Sequence, residues 1–168
     1  MNSDPDSDGA DDYAFAPEKV AEYRKKMLAA PVKDGKTVLE ELTGQRKDED
    51  EDMDWEEEIL DEMESSYDNC RFSSYWDSDT HMTHPLILTK IPVKNPWEIF
   101  AYLPFGNWNE CPDTQSLMAV AKYWFEQHGA IPAAMTHDEL EFDLPAPVFK
   151  EQAMEVAAEQ YGCGSGAR

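Results

Sequence analysis

Basic residues are scarce in this chain: 14 lysines and arginines stand against 36 aspartates and glutamates, a net charge of −22 over 168 residues. Such a surplus repels nucleic acid and anionic membranes, so direct binding to either is not expected and a basic protein surface is the favoured partner. No run approaches the roughly 18 apolar residues that a membrane span needs. The opening MNSDPDSDGADD is acidic where a secretory signal would be basic and then apolar, which points to the cytoplasm. Three cysteines, Cys70, Cys111 and Cys163, are too few and too scattered for a disulfide framework and fit reduced thiols. Walker-type and GxGxxG loops are missing, as are an internal repeat and a second closely spaced pair of metal ligands. Nucleotide binding has no support, and neither metal nor other cofactor is expected.

What the chain does have is apolar and aromatic material. The hydrophobic fraction is 41%, with five Trp, seven Tyr and seven Phe, enough for one ordinary domain with an appendage. The charge is uneven: residues 1–80 hold 25 acids and 9 bases, residues 81–168 hold 11 and 5. The two halves are different kinds of sequence. Residues 1–15 lack the apolar density to order and read as a disordered acidic tail. Residues 16–69 read as an acidic helical arm, residues 70–162 as a compact α+β domain able to fold without the arm, and residues 163–168 as a flexible tail.

Within the arm, Pro17 opens a helix with Val20, Tyr23 and Met27 on one face and Lys25 and Lys26 near its end. Pro31 and Gly35 interrupt it, and a second helix spans about Thr37–Leu42, ending near Gly44. Next comes KDEDEDMDWEEEILDEMESSYD, in which Trp55, Ile59 and Met63 recur at helical spacing, with Leu60 beside them, among carboxylates. One narrow apolar seam on a highly charged helix is enough to dock against something.

In the second half, CRFSSYW (70–76) and PLILTKIPV (85–93) read as strands joined by the polar stretch DSDTHMTH. Asn95 and Pro96 supply a cap and first turn for a short helix carrying Trp97, Ile99, Phe100 and Leu103. Pro112 starts a longer helix with Asp113 in its first turn. Leu117, Val120, Ala121 and Trp124 face a core, Met118 and Phe125 flank them, and Gly129 ends the helix. AIPAAM and ELEFDL form two strands around the turn THDE, with Leu140, Phe142 and Leu144 on one face and Glu139, Glu141 and Asp143 on the other. A last helix carries Phe149, Ala153, Val156 and Ala157 to Tyr161 and Gly162. The fold class expected is α+β: a small, mainly antiparallel sheet packed with helices, preceded by the acidic helical arm.

From about Pro85 to Gly162 the chain resembles a bacterial family, domain of unknown function 4253. The resemblance is carried by PWEIFAYLPFGNWNECP, YWFEQHGA, MTHDELEF and AMEVAAEQYG, of which Trp-Asn-x-Cys-Pro is the most particular. Where the family pattern continues with a Cys-Pro-Asp type segment, this chain has CGSGAR. The resemblance implies a fold and no activity, and it leaves the arm outside.

Three stretches invite a chemical reading. Cys111, in WNECPD with Trp108 and Asn109, would be a nucleophile if a helix dipole lowered its pKa and a histidine stood nearby. No histidine is close in sequence, and a structural helix start explains the same residues. His81 and His84 have a spacing compatible with a metal, with His137, Glu139, Glu141 and Cys70 as further ligands only if the fold gathered them. A polar loop is the simpler account. His137, Asp138 and Glu139 resemble acid–base equipment, but hairpin turns recruit such residues for their own hydrogen bonds.

The acidic block has the clearest physical consequence. Carboxylates at i and i+4 lie about 5–6 Å apart on a helix, comparable with phosphates along a nucleic-acid strand. Asp54, Glu56, Glu57, Glu58, Asp61 and Glu62, around the apolar anchor Trp55, Ile59 and Met63, would fit a basic groove that otherwise holds DNA or RNA. The expectation is therefore a non-enzymatic inhibitor acting by nucleic-acid mimicry on a bacterial defence or DNA-processing protein. The alternatives are an accessory domain whose acidity only keeps it in solution, and a Cys- or His-dependent enzyme.

Overall fold

The computed structural model describes residues 16–49, 72, 74–77, 79–107 and 111–164. Helix α1 (Pro17–Ala29) has Pro17 in its first turn and Lys26 in its last, and Ala30, in extended backbone, ends it by donating its N–H to the Lys26 carbonyl. The face expected from the periodicity is used: Met27 is buried, and Tyr23 packs beside it and donates its hydroxyl to Thr114 Oγ1 at 2.6 Å.

Helix α2 (Gly35–Glu49) starts where the Asp34 carboxylate accepts hydrogen bonds from the Thr37 N–H and hydroxyl, both at 2.8 Å. It does not end near Gly44 but runs through it to Glu49. A mid-helix glycine costs about 1 kcal/mol against alanine, and packing on both sides of it outweighs that. Val38 and Leu39 are buried on one side, and on the other the Arg46 guanidinium, also buried, lies over the Tyr161 ring at 5.9 Å.

Among the described residues of the strand expected at 70–76 only Trp76 is paired, in a small hairpin, and the strand expected at 85–93 does not form. β1 (Trp76–Asp77) pairs antiparallel with β2 (Met82–Thr83), which lies inside the stretch read as a connection. Asp77 shapes the turn by accepting from the N–H groups of Asp79 and Thr80. Residues 84–95 take no helical or strand assignment. Among the described residues no strand lies alongside them, and Pro85 and Pro92 lack the N–H that a ladder requires.

The short helix after Asn95 is a 3-10 helix, Pro96–Ala101, that buries Phe100 and Ala101. The Glu98 carboxylate accepts from the N–H groups of Lys94 (2.9 Å) and Asn95 (3.4 Å) and from Asn95 Nδ2 (2.7 Å). Helix α3 (Thr114–His128) begins two residues later than Pro112, because Asp113 is its cap: the carboxylate accepts from the Ser116 N–H at 2.8 Å. Gly129, at φ 72°, closes it in the left-handed conformation that glycine adopts without steric cost.

β3 (Ile131–Met135) and β4 (Leu140–Asp143) form the second antiparallel pair, with a register shift between Pro132 and Ala134. As expected from the alternation, Leu140, Phe142 and Leu144 pack on the core, Phe142 meeting the Trp124 ring edge-on at 5.3 Å. Helix α4 (Lys150–Cys163) takes in Cys163, which is buried, while Phe149 is the residue before the helix and is 74% exposed rather than core-facing.

As expected, the result is an α+β fold of helices and small antiparallel sheets, with two two-stranded sheets among the described residues. Its core is Phe100, Ala101, Phe105, the inner face of α3, Ala130 and Cys163, together with Met27, Val38 and Leu39 from the arm. Helix α2 packs against both α3 and α4, and α1 packs against the 3-10 helix. The core thus draws on residues N-terminal to position 70. Among the described residues, no helix is long and apolar enough to cross a membrane.

Candidate functional site

The residues assigned to partner binding from the sequence, Asp54 to Glu58, Ile59, Asp61, Glu62 and Met63, lie outside the described residues, as do Trp108, Asn109 and Cys70. The other candidates are placed.

Cys111 belongs to the loop between the 3-10 helix and α3. Gly106 (φ 86°) and Asn107 (φ 61°) turn the chain there, and the Asn107 N–H donates to the carbonyls of Cys111 and Pro112. A Cβ on Gly106 would lie 2.1 Å from the Pro112 oxygen and 3.2 Å from Cys111 Sγ, so the glycine is needed for this approach. The thiol is half-buried, and burial pushes its pKa up to about 11. A nucleophile needs the opposite shift. Cys111 precedes the cap residue by two positions, so it is not the side chain that satisfies the first turn of α3; Asp113 is. Burial likewise pushes the Cys163 thiol up to about 12, with smaller contributions from Cys111 and Glu159.

The histidines are not gathered. His81 sits at φ 54° in the β1–β2 turn, and the His84 N–H donates to the Tyr75 carbonyl at 2.8 Å. His137 is exposed on the β3–β4 turn with Nδ1 3.1 Å from Asp138 Oδ1. In that turn Thr136 Oγ1 accepts from the N–H groups of Asp138 and Glu139 and donates to Asp138 Oδ1. The residues that resembled acid–base equipment thus serve the hairpin. Among the described residues no three His, Cys, Asp or Glu side chains form a metal-binding group.

Two carboxylates tie elements together: Glu159, which the sequence did not single out, and Glu141, which the alternation in ELEFDL put on the outward face. Glu159 of α4 accepts from Tyr123 Oη at 3.1 Å and Trp124 Nε1 at 2.8 Å, both on α3. Burial, followed by the Glu159 charge, pushes the Tyr123 phenol up to about 12, so the phenol remains the donor. Glu141 of β4 accepts from the Ser74 hydroxyl and, at 3.3 Å, from the Ser74 N–H, which fixes the approach to the β1–β2 hairpin. The spacing of Glu159 carried no motif that could have pointed to it.

The surface feature that stands out is Leu86, Ile87 and Leu88, exposed by 64%, 90% and 100%. They lie in the stretch that the composition led us to expect as a strand. Continuous apolar exposure of this kind marks an interaction surface more often than an isolated exposed leucine does.

Among the described residues these observations define a small α+β fold whose most exposed apolar feature is the strip Leu86–Leu88. Residues 87–165 match the family model Domain of unknown function (DUF4253), in agreement with the resemblance drawn from PWEIFAYLPFGNWNECP and the segments that follow it. The match takes in the 3-10 helix, α3, the β3–β4 pair and α4, and leaves α1 and α2 outside. No curated protein and no solved structure matches the chain.

Proposed function

We propose that this chain is a non-enzymatic protein-binding protein whose acidic segment, Asp54–Met63, occupies a basic surface on a nucleic-acid-binding protein and thereby inhibits it. The observation that carries this reading is the charge pattern. Residues 50–64 hold ten carboxylates and no base, with Trp55, Ile59 and Met63 at helical spacing among them. A groove of Lys and Arg that binds a phosphate backbone releases counterions when it does so, and a run of carboxylates at similar spacing draws on the same term. The apolar side chains would anchor the contact at its centre. The burial-raised pKa of Cys111 and the dispersal of the histidines favour this reading over a Cys- or His-dependent enzyme.

The test is capture from a bacterial lysate at low and at high salt. Recovered partners should be basic nucleic-acid-binding proteins that elute as salt rises, and the purified partner should lose its bound DNA or RNA when this protein is added. Partners that remain bound together with their nucleic acid would contradict the mimicry.

A further inference from the structure

Three adjacent apolar side chains, Leu86, Ile87 and Leu88, are largely exposed to water and call for something to cover them, and the charge around them indicates what. In a chain of net −22, residues 85–94 (PLILTKIPVK) carry Lys90 and Lys94 and no carboxylate. A second copy would bring the same two lysines and a further −22, so charge opposes self-association through this strip. The complementary surface lies in the same chain: residues 50–64 are the most acidic stretch and carry Trp55, Ile59 and Met63.

The connectivity puts the two within reach. The chain leaves α2 at Glu49 and is next placed as a run at Ser74 and Tyr75. The Tyr75 carbonyl accepts the His84 N–H at 2.8 Å, so Tyr75 stands at the head of the strip that begins with Pro85. Met63 precedes Tyr75 by twelve residues, and twelve residues span up to about 40 Å.

We propose that the Trp55–Ile59–Met63 seam docks on Leu86, Ile87 and Leu88 of the same chain, with neighbouring carboxylates facing Lys90 and Lys94. Burial of the apolar side chains supplies most of the stability, because ion pairs at such an exposed edge contribute little and are screened by salt. The docking is a property of the chain with no partner bound. A partner that binds the seam has to displace it from the strip first.

Hydroxyl-radical footprinting of the full chain, with no partner present, reads the side-chain exposure of Leu86–Leu88 directly. Labelling of this peptide should rise severalfold in a Trp55→Ser, Ile59→Ser, Met63→Ser variant, as covered side chains return to water. Labelling of Phe149 and Met154 should not change. If that variant loses its cooperative melt, Ile59→Ser alone gives the reading in its place, since removing one apolar anchor already returns part of the strip to water. Equal labelling in wild type and variant overturns the proposal. So does protection that appears only on concentrating the protein, which would assign the strip to a second copy.

Discussion

Gly35 crosses Ala119 so closely that a Cβ on the glycine would lie 2.3 Å from the Ala119 carbonyl oxygen. The first residue of α2 is thereby pressed against the backbone of α3, where Ala119 is fully buried. At the other end of α2, a Cβ on Gly162 of α4 would meet Thr43 Oγ1 at 2.2 Å. Two glycines let α2 lie against α3 and α4 together. Gly35→Ala should destabilise the protein by about 1–3 kcal/mol, the usual effect of forcing extra atoms into a packed contact. Chemical denaturation measures it, and Gly44→Ala, where nothing lies within 4 Å, is the control that should be neutral or stabilising.

A second consequence concerns the boundary of the folding unit. Met27, Val38 and Leu39 close the core from outside the segment that matches the family model. A fragment of residues 70–164 should therefore melt without cooperativity, while residues 16–164 should melt as one transition. Near-UV circular dichroism against temperature distinguishes them. A sharp transition in the shorter fragment would show that α1 and α2 are accessories.

The elements that were legible are those whose signals are local. Asp113 and Gly129 bracket α3, and the apolar positions between them repeat at the helical period; THDE and the alternation in ELEFDL mark the β3–β4 hairpin in the same way. PLILTKIPV misled because its composition suits a strand, whereas a strand needs a neighbouring edge, and no local signal reveals whether one exists. Gly44 misled for a related reason: its propensity is local, but the burial of Arg46 against Tyr161 and of Leu39 in the core is not. Of the candidate chemical residues, the turn role of Thr136, Asp138 and Glu139 was readable, while the anchoring by Glu159 required knowing that α4 lies beside α3.

Stability should fall at alkaline pH through the thiols. Burial raises Cys111 to about 11 and Cys163 to about 12, from an ordinary value of 9.0. A group whose folded pKa is raised contributes fully below its unfolded value and is lost as pH climbs toward the folded one, so the decline lies between about pH 9 and 12. Cys163→Ala should flatten this limb in denaturation curves recorded against pH. An unchanged alkaline limb would place the loss on other groups.

At acid pH, Glu98 acts in the other direction. Burial opposes its ionisation, but hydrogen bonds from Lys94 N–H, the Asn95 side chain and Asn95 N–H outweigh burial and hold the carboxyl below its ordinary value of 4.5. Its contribution is present above that value and lost as pH falls through the lowered one. Glu98→Gln should reduce stability at neutral pH and shrink its loss below pH 4.5. Unfolding midpoints across that range test both parts.

Thiol reactivity bears on the role of Cys111. With its pKa near 11, the thiol is almost entirely protonated at neutral pH and should react with an alkylating reagent more slowly than a free cysteine. Peptide-resolved mass spectrometry separates it from Cys70 and Cys163. Fast labelling at pH 7 would revive a nucleophilic role.

The acidic segment is proposed to act through charge. The direct measurement is the affinity for the captured partner as a function of salt, for wild type and for a variant with Glu56, Glu57, Glu58 and Glu62 changed to Gln and Asp61 to Asn. Wild-type binding should weaken steeply and linearly in log–log form as salt rises, and the variant should bind more weakly with a shallower slope. Trp55→Ala with Ile59→Ala should weaken binding with little change in slope, since it acts through buried apolar area. A charge-neutralised variant that binds as tightly as wild type at physiological salt would contradict the claim.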